Sequence, residues 1–229
     1  MRLPAAPVAL MAASAASLFL GFTVLGDVVA GFILYYLACC IGLPLAELLV
    51  LRRLRPGDLP RVLGLGRLTR GNLALGLAAG TGMLVLMLAA LVLLREPVFG
   101  DGTIMATLAS WGAGGDRLVP VFLVMVTFNG VVEELFWRGY LHERLSGLGN
   151  RLLANALPAA CFGLQHVFVV SSLVRDPWIT ALFLAGITGA GAAWAFLRER
   201  SGSLWPSLLS HVMVTAGYMG AFGLMSPAA

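Results

Sequence analysis

Seven apolar runs fill most of the chain, at residues 5–26, 28–51, 73–94, 119–141, 152–170, 178–197 and 204–224. A helix rises about 1.5 Å per residue, so about 20 apolar residues cross the hydrocarbon core of a bilayer. Each run therefore predicts one transmembrane helix. The first follows Met1 and Arg2 and has the look of a signal peptide. Its full-span length, with a second span directly behind it, predicts an uncleaved first helix. Polar segments between the runs are short, except residues 52–72, where Pro56, Gly57 and Pro60 interrupt helix. Gly76 and Gly80 have the GxxxG spacing that lets two helices approach closely, and Gly186, Gly189 and Gly191 suggest the same for the sixth run. The expected fold class is all-α: a polytopic transmembrane helical bundle of about seven membrane spans, forming a single integral membrane domain over residues 1–229. No linker, long repeat or low-complexity tail divides it.

Composition supports this. The chain is 59% hydrophobic and 11% charged, with a mean hydropathy of +0.92, whereas soluble domains are about 25% charged. The formal charge is +4 and every basic residue is arginine. With seven spans, twelve arginines fall on one side: Arg2, the six of the 52–72 loop, Arg138, Arg144, Arg151, Arg198 and Arg200. Only Arg95, Arg117 and Arg175 fall on the other, which predicts a cytoplasmic N-terminus. The arginines flank apolar spans and do not interleave with exposed aromatics, which argues against nucleic-acid binding. Cys39, Cys40 and Cys161 lack zinc-type spacing and read as small buried hydrophobes.

The chemistry lies in the polar residues inside the apolar runs, because charge at membrane depth is costly unless paired or hydrated. Glu133 and Glu134 are neighbours on the fourth span and point about 100° apart. Glu134 and Arg138 form an i, i+4 pair, leaving Glu133 to face a cavity as a candidate general base. Phe162 and His166 share a face of the fifth span, and His211 and Thr215 share a face of the seventh. By helix rise His166 lies about 10 Å deeper than the other two groups unless its helix tilts or starts late. Glu47 sits where it reaches the interface, and His142, beside Glu143, reads as a solvated loop residue. There is no HExxH string (His142-Glu143 leads to Ser146), no GxSxG and no phosphate-binding glycine loop. Two arrangements remain open. Glu133 and His166 activate a water while His211 and Thr215 stabilise an oxyanion, or Glu133, His166 and His211 hold a catalytic Zn²⁺. A transporter fits less well, since the cluster lies near one face and no matching halves are visible.

EELFWRGYLHERL at 133–145 resembles the EExxxR motif of the CAAX-protease and bacteriocin-processing family of intramembrane proteases. CFGLQH resembles its FxxxH motif, and LWPSLLSHVMVT its third motif, a His followed four residues later by Asn or Asp. The similar region covers residues 119–223, and residues 1–118 supply further spans and loops. The resemblance implies a helical membrane fold with its site inside the bilayer, opening toward the cytoplasm, and hydrolysis of a peptide bond. Glu133 would activate water with help from His166, His211 would serve the oxyanion side, and Glu134, Arg138 and Phe162 would shape the site. It implies no cofactor, with Zn²⁺ as the alternative. The implied partners are the lipid bilayer and a membrane-anchored or lipid-modified protein or peptide substrate, in a cell membrane such as the bacterial inner membrane. Thr215 departs from the motif and leaves a non-catalytic scaffold or bacteriocin-immunity protein as the rival from another class.

Overall fold

The computed structural model describes residues 5–225 apart from Asp101 and Leu148, with the backbone alone for Arg151 and Met225. Arg2, counted above on the arginine-rich side, lies outside the described residues. The described elements are all helices. Seven are long and apolar enough to span a membrane: Ala5–Val24, Val28–Leu51, Arg70–Leu93, Gly115–Ser146, Leu152–Leu173, Pro177–Ser201 and Trp205–Leu224. Leu86, Leu93, Trp178 and Phe196 project from the bundle at more than half exposure, an apolar exterior suited to lipid.

Local chemistry sets the span ends. Thr69 caps the third span by accepting from the Asn72 N–H at 3.1 Å, so that helix starts at Arg70, ahead of the apolar run. Asp176 accepts from the N–H groups of Trp178 and Ile179, and Pro177 occupies the first turn of the sixth span. Gly202, with φ +64°, ends that span in the left-handed conformation. The fourth span runs on to Ser146, past the expected end at Leu141. His142 is therefore helical and buried, not a solvated loop residue. Leu141, His142 and Leu145 form one buried face, and the His142 ring lies 3.7 Å from Glu199.

Small residues set the packing. A Cβ on Gly76 would meet the Pro206 backbone at 3.1 Å, and one on Gly80 would meet Ser210 Cα at 3.1 Å, so this GxxxG pair seats the third span on the seventh. Gly130 brings the fourth span against Val212 of the seventh in the same way. In the sixth span only Gly191 makes such an approach, to Arg138 and Phe162. Gly186 and Gly189 face open space, which corrects the expectation of tight packing there.

The arginine-rich loop folds across the helix ends beside it. Leu204 N–H donates to the Gly64 carbonyl at 2.9 Å and Trp205 Nε1 to that of Gly66 at 2.6 Å. Arg52 pairs with Glu143 at 3.1 Å, Arg144 with Glu47 at 3.2 Å, and Arg198 donates to the Arg138 carbonyl at 3.2 Å. At the other end, Thr103–Ser110 forms a short helix. There Val28 N–H donates to the Trp111 carbonyl at 2.9 Å, and Thr107 Oγ1 to that of Ser172 at 3.1 Å.

Gly76→Val pushes a side chain into the Pro206 backbone, whereas the same change at Gly82, with nothing within 4 Å, meets open space. Thermal unfolding in detergent should show the first destabilised relative to the second by about 1–3 kcal/mol.

Candidate active site

The fourth span carries Glu133 and Glu134 at 2% and 0% exposure, so both carboxylates depend on protein partners. Helical spacing sends them to different partners. Glu134 Oε1 accepts from Arg138 Nη1 at 2.9 Å, the i, i+4 pair expected from the sequence. The wide turn over Leu135–Leu141, with i to i+5 hydrogen bonding, begins directly after the two acids. Arg138, 2% exposed, also donates from Nη2 to the Gly191 carbonyl at 2.9 Å. Its guanidinium lies 4.6 Å from the centre of the Phe162 ring and 5.2 Å from that of Trp194. Paired, hydrogen-bonded and flanked by π-faces, the cation recovers much of what burial takes away.

His211 joins the two acids. Its Nδ1 lies 3.0 Å from Glu134 Oε1 and its Nε2 lies 3.5 Å from Glu133 Oε2. An ionised carboxylate only accepts, so the Nδ1 proton points at Glu134. The ring stacks on Trp194 at 3.8 Å with an interplanar angle of 14°, and Trp194 is held by Nε1 donation to Ser210 Oγ at 3.0 Å. The ring plane and the Nδ1 proton are thus both held in place.

Glu133 finds a partner that sequence spacing did not indicate. Its Oε1 accepts from the Tyr35 hydroxyl at 2.9 Å, across from the second span. Tyr35 also meets Gln165 Nε2 at 2.8 Å and Trp137 Nε1 at 3.3 Å, and Gln165 Oε1 accepts from Ser14 Oγ at 2.7 Å. The one signal for this set was the chain's single glutamine, next to His166 in an apolar run, which demands a partner at membrane depth.

The predicted residues do not all meet. Glu133, Glu134, Arg138, Phe162 and His211 pack as one cluster, with the Phe162 and His211 rings 6.1 Å apart. His166 is half-buried at the break between Arg151–Gln165 and Val167–Leu173. Its Nδ1 donates to the Phe162 carbonyl at 2.6 Å, which leaves Nε2 as the free lone pair, and its ring leans on Phe162 at 4.8 Å. It lies within electrostatic reach of Glu133, without a hydrogen bond to it. Thr215 is fully buried, and its Oγ1 has no partner, as is also true of Glu134 Oε2. Two cavities, of about 540 and 310 Å³, lie at the arginine-rich face, and Glu133 lines neither.

Among the described residues no group of three or more His, Cys, Asp or Glu side chains is placed to hold a metal. Both His211 nitrogens face carboxylates and His166 Nδ1 is taken by a carbonyl. Each histidine nevertheless uses Nδ1, toward Glu134 or the Phe162 carbonyl, so each Nε2 is the nitrogen left for a ligand, and zinc held by Glu133, His166 and His211 stays the alternative to a metal-free site.

Residues 115–217, a little under half of the chain, match the family described as type II CAAX prenyl endopeptidase Rce1-like. This is the family that the three motifs indicated. No curated protein and no solved structure matches the chain.

Arg138→Leu strands a buried carboxylate and should destabilise the protein by about 3–5 kcal/mol. The double variant Glu134→Gln with Arg138→Met should lose less than the sum of its single changes. A double-mutant cycle on thermal unfolding measures this.

Proposed function

We propose that the chain is an intramembrane endopeptidase that hydrolyses a peptide bond in a membrane-anchored or lipid-modified protein or peptide. The observation that carries the reading is the buried line Glu134–His211–Glu133, with His211 3.0 Å from one acid and 3.5 Å from the other. The family match over residues 115–217 supports it from an independent direction.

In this reading Glu133 takes a proton from water, and His166 Nε2, left free by the bond from Nδ1 to Phe162, orients the same water. The resulting hydroxide attacks the carbonyl carbon. His211 stands beside Glu133, backed by Glu134 through Nδ1. Protonated on both nitrogens, it donates from Nε2 to the oxyanion. Thr215 supplies a hydroxyl with no other partner in place of the Asn or Asp of the related motif. When the tetrahedral intermediate collapses, the C–N bond breaks and Glu133 passes its proton to the leaving amine. Arg138 takes no proton. It holds Glu134 ionised, and so fixes the plane of His211. No metal is needed for any step.

The arginine-rich ends of the spans face the cytoplasm in this reading, by the positive-inside rule. The protein sits in a cell membrane, with the bacterial inner membrane as its setting. Glu133 is 2% exposed, so a peptide reaches it only when side chains over it give way.

The test is cleavage of a fluorogenic prenylated peptide with a CAAX end by the purified full chain in lipid vesicles. Glu133→Gln should lower kcat by about 10²–10⁴, and His166→Ala by about 10². Thr215→Asn should retain activity, and a chelator should leave the wild type unaffected. Chelator-sensitive cleavage would favour the zinc enzyme. A Glu133→Gln variant that keeps its role in cells, with no cleavage by either form, would favour a scaffold or immunity protein.

A further inference from the structure

Tyr35 belongs to the second span, outside the residues that match the family, and is 1% exposed. Its hydroxyl has three polar neighbours: Glu133 Oε1 at 2.9 Å, Gln165 Nε2 at 2.8 Å and Trp137 Nε1 at 3.3 Å. Their chemistry leaves one assignment. An indole N–H and an amide NH₂ only donate, and an ionised carboxylate only accepts. The two donors therefore occupy the lone pairs of the phenol oxygen, and its one proton goes to Glu133. The Gln165 Oε1 lies in turn 2.7 Å from the fully buried Ser14 Oγ, a hydroxyl whose one proton is shared with the Met11 carbonyl at 2.8 Å. The first, second and fifth spans thus meet at one oxygen of Glu133 through the side chains of Ser14, Gln165 and Tyr35.

The two carboxylate oxygens are then unequal. Oε1 is capped by a phenol that cannot turn away, and Oε2 faces His211. We infer that Tyr35 is a positioning residue that fixes the Glu133 carboxylate by occupying Oε1 and so assigns Oε2 to proton transfer. The inference rests on the general-base reading of Glu133. Tyr35 touches no reacting atom in it and acts through the carboxylate it holds.

The test needs no substrate at first. Acid–base infrared difference spectra of the purified full chain in lipid discs contain the carbonyl stretch of protonated Glu133, assigned by its loss in Glu133→Gln. Tyr35→Phe removes a donor to the ionised form, and the titration midpoint of that band should rise by about one pH unit or more. Gln165→Leu leaves the phenol in place but free to turn, and should raise the midpoint by a smaller amount. It also keeps the inference testable if Tyr35→Phe does not fold. A wild-type midpoint in every variant that folds would overturn the inference. Where cleavage is measurable, Tyr35→Phe should lower kcat about tenfold, keep KM within about twofold, and move the acid limb of the rate profile upward with the band. A purely structural tyrosine would lower the melting temperature and move neither band nor limb. Glu133→Gln that cleaves like wild type would sink the general-base reading while the infrared result still decides Tyr35. An inactive Glu133→Gln beside an unshifted Tyr35→Phe would sink the role of Tyr35 alone.

Discussion

A charge that cannot reach water must be answered by another charge, and the centre of this bundle is arranged around one such answer, Glu134 with Arg138. Two ions at 0% and 2% exposure are tolerated only because each is bonded more than once. The carboxylate oxygen that takes Arg138 Nη1 also takes His211, and the guanidinium that gives to Glu134 also gives to the Gly191 carbonyl. These second bonds tie the fourth span to the sixth and the seventh. Gly191 has no side chain because Arg138 and Phe162 occupy that space, and Gly130 lets the seventh span come close enough to present His211. The small residues of the packing and the polar residues of the site thus serve one geometry.

Much of this was legible in the chain, and for definite reasons. The seven spans follow from run length, and the GxxxG of the third span from spacing. The Glu134–Arg138 pair follows from the four-residue repeat of a helix. All are properties of one segment at a time. His211, read as a polar residue inside an apolar run, does meet both acids, and Phe162 packs on Arg138 and His211. The illegible parts depend on two segments at once. Tyr35 and Glu133 are 98 positions apart, and nothing along either helix announces the contact. Gly186 and Gly189 have the composition of a packed face, yet no neighbour arrives there. The fourth span outlasts its apolar run because buried Leu145 and His142 continue the same face, a pattern hidden by the polar letters around them. His166 shares a helix face with Phe162, as periodicity requires, and it is Phe162 that fills the space beside His211.

The region similar to known endopeptidases starts near residue 115, and from there the chain supplies both acids, the arginine and both imidazoles. The first two spans lie outside it, yet contribute the phenol on Glu133 and the serine behind it. A site built by the later spans is thus closed by the earlier ones.

That division sets an order of events at the ribosome. When the fourth span leaves the insertion machinery, Tyr35 already waits in the bilayer, whereas His211 has yet to be translated. The two acids and the arginine arrive together in one helix, and a pair four residues apart closes within that helix without help from any neighbour. The nascent chain therefore carries Glu134 and Arg138 into lipid already paired, while Glu133 depends on Tyr35 and His211 from other helices. Registration with the seventh helix waits until that helix is made, when the Leu204 amide finds the Gly64 carbonyl and a later segment is fastened across an earlier loop.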